Sequence, residues 1–118
     1  MSYSKFRNRR TGGFHSLKEK NRAYELQLLE RAGEIHDLKF QVPFELIETQ
    51  REPSKIGPRG GIKLGKVIEE SCSYIADFTY FTKDGRYIVE DSKGVKTKDY
   101  IIKRKLMLKL YGVRVYET

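Results

Sequence analysis

One cysteine, Cys72, and two histidines, His15 and His36, are the only thiol and imidazole groups in this 118-residue chain. A lone thiol forms no internal disulfide, which excludes a small scaffold stapled by its own bridges. Structural zinc takes four ligands, mainly from cysteine and histidine, and three such residues so widely separated argue against it. No apolar run approaches the roughly 20 residues of a spanning helix, and the N-terminus lacks the apolar stretch of a secretory leader. By elimination, the expectation is a cytoplasmic protein. No internal repeat or low-complexity tract is visible.

What is present suits one domain with one modest core. Hydrophobic residues make up 38% of the chain, with 8 tyrosines and 6 phenylalanines among them. Residues 13–118 are expected to form that domain, behind a basic, mobile arm at 1–12 carrying Lys5, Arg7, Arg9 and Arg10. Lys and Arg total 24 against 16 Asp and Glu, a formal net charge of +8. The cations are clustered. Arg51, Lys55, Arg59, Lys63 and Lys66 share one stretch, and Lys96, Lys98, Lys103, Arg104, Lys105 and Lys109 share another. Such patches attract a phosphate backbone without reading sequence. A solvated lysine-rich surface has the same composition, and charge does not separate DNA from RNA.

Periodicity orders the elements. A helix is expected over about 16–32, with apolar Leu17, Tyr24, Leu28, Leu29 and Ala32 as its packing face and Gly33 as its stop. A strand over about 39–48 alternates Phe40, Val42, Phe44 and Leu46, and Pro43 assigns it to a sheet edge. Pro53, Pro58 and several glycines make about 50–66 a loop, with a short paired excursion near 62–66, positioned to grip DNA. Strands over about 71–82 and 86–92 form a hairpin around the turn at Asp84 and Gly85. A helix over about 97–111 follows, packing through Tyr100, Ile101, Leu106, Met107, Leu108, Leu110 and Tyr111 and ending at Gly112. A short strand at about 113–116 closes the chain. The fold class is therefore α/β, a mixed sheet of about four to five strands flanked by helices.

Chemistry concentrates in the hairpin. Side chains alternate along a strand, so Ile75, Asp77, Thr79 and Phe81 share one face, as do Tyr87, Val89, Asp91 and Lys93. Asp77 is set among Tyr74, Ile75, Ala76 and Phe78, where an unpartnered carboxylate is costly. Mg²⁺ is held by one or two carboxylates together with water and substrate phosphate, so Asp77 and Asp91 form a candidate site for Mg²⁺ or Mn²⁺. Lys93 would orient or help deprotonate the attacking water, or neutralise charge in the transition state. The alternative is an exposed Asp91–Lys93 pair beside an ordinary hairpin turn. The entry into the last helix through Gly94 would set Lys96, Lys98 and open N–H groups beside the site. Gln41 is a lesser candidate for lining it.

Asp77, thirteen positions ahead of the Glu90, Asp91, Ser92, Lys93 block, resembles the PD-(D/E)XK nuclease signature. The wider run from Ser16 and Glu19 through Glu25 and Ile35 to Lys96 and Tyr100 resembles a family of small phage and prophage proteins. That family is catalogued as a domain of unknown function and placed in the same superfamily. The likeness covers nearly the whole chain from about Gly12. Ala76 stands where the signature has proline, which is not a ligand. The resemblance implies a restriction-endonuclease-like core, Asp77 and Asp91 as metal ligands, Lys93 as catalytic lysine, and an acid on the first helix. For that acid the resemblance favours Glu19, which with Ser16 is also a capping box. The helical wheel favours Glu25.

The expected function is a divalent-metal-dependent DNA endonuclease hydrolysing phosphodiester bonds. Its small size favours recognition of branched or junction DNA, in phage recombination or replication within a bacterial host cell, and paired cuts suggest a homodimer. Lys96, Lys98, Lys103, Lys105, Arg59 and Lys63 are the candidate DNA contacts. The alternative from another class is a non-catalytic nucleic-acid-binding accessory protein that keeps the nuclease fold. A basic structural protein is the third possibility.

Overall fold

The computed structural model describes residues 16–118. The basic arm expected at 1–12, and His15, lie outside the described residues. In chain order the elements are α1 (Leu17–Arg31), β1 (Ile35–Ile47), β2 (Gln50–Arg51), β3 (Lys55–Ile56), β4 (Ile62–Lys63), β5 (Val67–Glu69), β6 (Cys72–Thr82), β7 (Tyr87–Asp91), α2 (Lys98–Tyr111) and β8 (Tyr116–Glu117). The main sheet runs β1-β6-β7-β8. β1, β6 and β7 are antiparallel neighbours, and β8 returns parallel to β7, so the sheet is mixed and the class α/β, as expected. The arrangement is compatible with a restriction-endonuclease-like core. No helix among the described residues is long and apolar enough to cross a membrane.

Local chemistry sets the element ends. Ser16 caps α1 by accepting from the Glu19 N–H at 3.1 Å, and Gly33 takes φ +80°, the left-handed stop that glycine tolerates. Thr97 caps α2, and Gly112 at φ +68° ends it. Pro43 is on the edge strand, where its missing N–H costs no ladder bond.

The packing face of α1 differs from expectation. Glu19, Ala23 and Leu26 are buried, whereas Leu17, Tyr24 and Leu28 are exposed and Leu29 is barely covered. The wheel failed because two inward positions are polar: Glu19 belongs to the candidate site, and Arg22 reaches buried Glu90 through Nε at 2.5 Å. The apolar residues on α2 are likewise divided, with Tyr100 and Met107 buried but Leu108 and Leu110 turned outward.

Among the described residues, two clusters form the core. Ala23, Leu26, Ile35, Phe78 and Tyr80 join α1 to the sheet. Leu46, Tyr74, Ala76, Val89, Tyr100, Met107 and Val115 join α2 to it. Burying a side chain the size of Phe78 contributes about 1.5–3 kcal/mol. These memberships reveal a phase change in β6. Thr79 is the cross-strand partner of Val89, so it shares that residue's α2-facing side, while Phe78 and Tyr80 face α1. Tyr74 and Ala76, of the same parity as Phe78, nevertheless pack with Val89. The alternation slips at Asp77. Opposite it on β1, between the Phe40–Phe78 and Val42–Ala76 pairs, Gln41 has φ +53°. Phe40, expected to alternate inward with Val42, Phe44 and Leu46, is 39% exposed and meets Phe78 edge-on.

The stretch expected as a loop carries three short strands, one of them, at Ile62–Lys63, within the paired excursion expected near 62–66. β2 joins β5 and β3 joins β4, giving a narrow antiparallel ribbon separate from the main sheet. Gly65 permits it, because a Cβ there would stand 2.0 Å from the Glu52 carbonyl oxygen. The last strand is also shorter than expected. Val113 and Val115 enter the core instead, and only Tyr116 and Glu117 pair with β7.

Candidate active site

The β6–β7 ladder ends at the Phe78–Glu90 pair. One step further places Asp77 opposite Asp91, where the strands fork. The Asp77 carboxylate spans the fork by accepting the Ser92 N–H at 2.8 Å, replacing a ladder bond. Asp91 is only 1% exposed. Its Oδ2 accepts from the Tyr74 hydroxyl at 2.6 Å, a contact that the phase change in β6 makes possible. Its Oδ1 is buried with no hydrogen-bond donor among the described residues and faces Lys93 Nζ at 4.0 Å. Lys93 also lies 5.0 Å from the centre of the Tyr100 ring, a cation–π contact that fixes its position.

The helix acid beside this fork is Glu19. It is 3% exposed, and its Oε2 accepts from the Gln41 amide at 2.7 Å. The same amide nitrogen stands 3.5 Å from Asp77 Oδ1. Glu25 is elsewhere, on the surface in an ion pair with Arg22 at 2.9 Å. Gln41, a minor candidate by sequence, thus holds together two carboxylates from different elements.

Burial, more than any neighbour, raises the pKa values of both aspartates. For Asp77 the Ser92 N–H opposes the rise and the Glu19 charge adds to it. For Asp91 the Tyr74 hydroxyl opposes it and Asp77 adds to it. Tyr74 is itself pushed up, first by burial and then by its bond to Asp91. Two carboxylates that burial disfavours as anions, one with a donorless oxygen, form a hard-oxygen donor set suited to a divalent cation. Among the described residues no group of three or more His, Cys, Asp or Glu side chains forms a ready-made metal cluster. An ion here would therefore draw its other ligands from water and substrate, the usual habit of Mg²⁺.

The site opens into a cleft of about 270 Å³ lined by Gln41, Tyr74, Asp77, Lys93, Asp99 and Lys103, among others. Of the expected DNA-binding lysines, Lys103 reaches this cleft. Lys98 and Lys105 are exposed but do not line it. Lys103 and Lys105 are two positions apart on a helix and so face nearly opposite ways. Lys96 is paired with Glu117 at 3.1 Å. Arg59 and Lys63 belong to the separate ribbon, at its turn and on β4.

At the start of α2, one of the N–H groups expected to be open is already bonded. Thr97 Oγ1 takes the Tyr100 N–H at 3.3 Å. Asp99 lies in the first turn, its carboxyl held below the usual range chiefly by a hydrogen bond to Thr97. The helix therefore caps itself with oxygen and presents a carboxylate to the cleft.

Sequence reasoning missed Glu117. It pairs with Asp91 across β7–β8 and accepts from Tyr100 at 2.6 Å and Arg104 at 3.0 Å. Tyr100, then Arg104 and Lys96, draw its carboxyl down to about 2. This ties the end of the chain to the helix that bears the cleft lysine. Nothing in local pattern marked Glu117, since its partners are 13 or more positions away.

No curated protein and no solved structure matches the chain. A family model described as a protein of unknown function, DUF1064, matches residues 5–116, nearly the full length, and the chain belongs to that family.

Proposed function

We propose that the protein is a divalent-metal-dependent DNA endonuclease of the PD-(D/E)XK type, using Mg²⁺ or Mn²⁺. One observation carries the reading. Asp77 and Asp91 flank one fork, and the donorless Oδ1 of Asp91 faces Lys93 Nζ at 4.0 Å. Asp77 and Asp91 would hold the ion, and Glu19, linked to Asp77 by Gln41, would act on its hydration shell. When bound, the ion supplies a more acidic water and neutralises charge on the phosphoryl oxygens. Lys93 Nζ orients the attacking water and offsets negative charge as it builds on the phosphate. Lys103 draws the backbone into the cleft. The net charge of +8 concentrates DNA without selecting a sequence. Preference for branched DNA, a role in phage recombination or replication, and a homodimer making two cuts belong to the same proposal. They rest on small size and on the resemblance.

A second reading, a nucleic-acid-binding accessory protein that keeps the fold without catalysis, is favoured by Asp99, whose carboxylate lines the cleft. Incubation with supercoiled, linear and four-way-junction DNA in Mg²⁺, Mn²⁺ or EDTA separates the two. The nuclease reading expects metal-dependent cleavage that Asp91→Ala and Lys93→Ala abolish while DNA binding persists. Binding without cleavage in any metal supports the accessory protein. Cleavage retained by both variants removes the assigned roles.

A further inference from the structure

The ribbon of β2 to β5 carries features that the cleft does not use. At its end Ile56 pairs with Ile62 across the two strands, so both side chains share one face. They are 80% and 79% exposed, an apolar pair in water. The neighbouring pair, Lys55 opposite Lys63, occupies the other face. Like charges directly opposite each other are destabilising in a free ribbon, and an anion beside them would remove that penalty. From Lys55 to Lys66 the chain contains Lys55, Arg59, Lys63 and Lys66 and no carboxylate. Pro58 and Arg59 form the turn.

The ribbon is also built to project. Its strands pair with each other and not with the main sheet. The radius of gyration is 18.9 Å, against about 13 Å for a compact domain of some 100 residues. Its base is fixed by the Arg51 guanidinium donating to the Gly65 carbonyl at 2.9 Å and by the Glu52 N–H donating to the Lys66 carbonyl at 2.8 Å.

We propose that this ribbon is a DNA wedge, in which Ile56 and Ile62 insert against the base stack from a groove while Lys55, Lys63 and Arg59 hold the flanking phosphates. Duplex DNA offers both surfaces the tip requires, apolar base planes and anionic walls on either side. Apolar side chains entering between base steps unstack and kink the duplex. The cost is lowest at flexible steps and at DNA already distorted. The inference deepens the nuclease proposal, resting on it only for DNA as partner. It supplies a physical source for structure selectivity in a protein too small for a reading module.

The test uses the full chain in EDTA and a short duplex with 2-aminopurine beside a central TA step. Its fluorescence reports unstacking, and anisotropy reports binding. The wild type should bind and raise the fluorescence. Ile56→Ser with Ile62→Ser should keep the wild-type melting temperature, bind with modest loss, and abolish the rise. Lys55→Ala with Lys63→Ala should weaken binding and lower the salt slope by about 2. Binding with no fluorescence rise, or a rise retained by the double serine variant, overturns the wedge. So does sedimentation with phosphatidylglycerol/phosphatidylcholine vesicles that the serine changes abolish while DNA binding is unaltered. The two proposals fail separately. Unstacking without metal-dependent cleavage leaves the wedge and removes the nuclease, and cleavage without unstacking does the reverse.

Discussion

Gln41 joins Glu19 to the sheet: its side-chain amide donates to the Glu19 carboxylate at 2.7 Å from a backbone held at φ +53°. A non-glycine residue in that region costs roughly 1–2 kcal/mol, and here the strained position is the one that reaches both the helix acid and Asp77.

Gln41→Ala should lower stability by about 1–3 kcal/mol, because it removes a donor from a buried carboxylate and keeps the backbone strain. Gln41→Gly loses the same donor but relieves the strain, and should be about 1 kcal/mol more stable than the alanine variant. Urea denaturation of the pair checks this. Equal midpoints would show that the left-handed backbone at 41 stores no energy.

Glu19→Gln should reduce metal-dependent cleavage, whereas Glu25→Gln should leave it unchanged, since Glu25 is exposed and paired with Arg22 on the surface. Cleavage rates of the two variants on one substrate decide between the two helix acids. A larger loss for Glu25→Gln would contradict the geometry.

Tyr74→Phe should destabilise the protein at pH 7 by about 1–3 kcal/mol, leaving both oxygens of Asp91 without donors. The sign of its pH dependence follows from linkage. Burial raises the folded pKa of Asp91 and the Tyr74 bond opposes that rise, so removing the bond raises it further. A carboxyl whose folded pKa exceeds its unfolded value, about 3.9, costs stability at pH values above the unfolded pKa. The gap between variant and wild type should be widest at neutral pH and narrow as pH falls toward 4. Thermal melts across that range measure it, and a constant gap would show that the bond does not bias Asp91 ionisation.

Arg22→Ala should destabilise by about 3–5 kcal/mol, since it strands a buried carboxylate. Glu90 is 0% exposed and accepts from Arg22 and Tyr80 on the α1 side. Glu90→Gln, which keeps acceptor capacity without the charge, should cost less. The ordering of the two by chemical denaturation tests whether Glu90, adjacent to Asp91 in sequence, has a structural rather than catalytic task.

Much of this architecture was legible in the residues. The cap at Ser16 and the stops at Gly33 and Gly112 bounded the helices to within a residue or two, because each is a local hydrogen-bonding or dihedral event. The convergence of Asp77 and Asp91 followed from alternation and a short turn. The Tyr74–Asp91 bond was hidden, because strict alternation puts positions 74 and 77 on opposite faces, and the slip at Asp77 depends on the partner strand. The face of α1 was misread because Glu19 and Arg22 point inward to long-range partners that hydropathy does not see. The ribbon was read mainly as loop because its glycines, Gly65 above all, serve close backbone approach as well as turns.

If Asp77 and Asp91 share one divalent cation, Mn²⁺ titration followed by electron paramagnetic resonance will detect it. The wild type should bind Mn²⁺ with an affinity that increases as pH rises, as protons leave two carboxyls whose pKa values burial raises. Asp77→Asn and Asp91→Asn should each lose that binding while remaining folded. Undiminished Mn²⁺ binding in both variants would show that the two aspartates hold no shared ion.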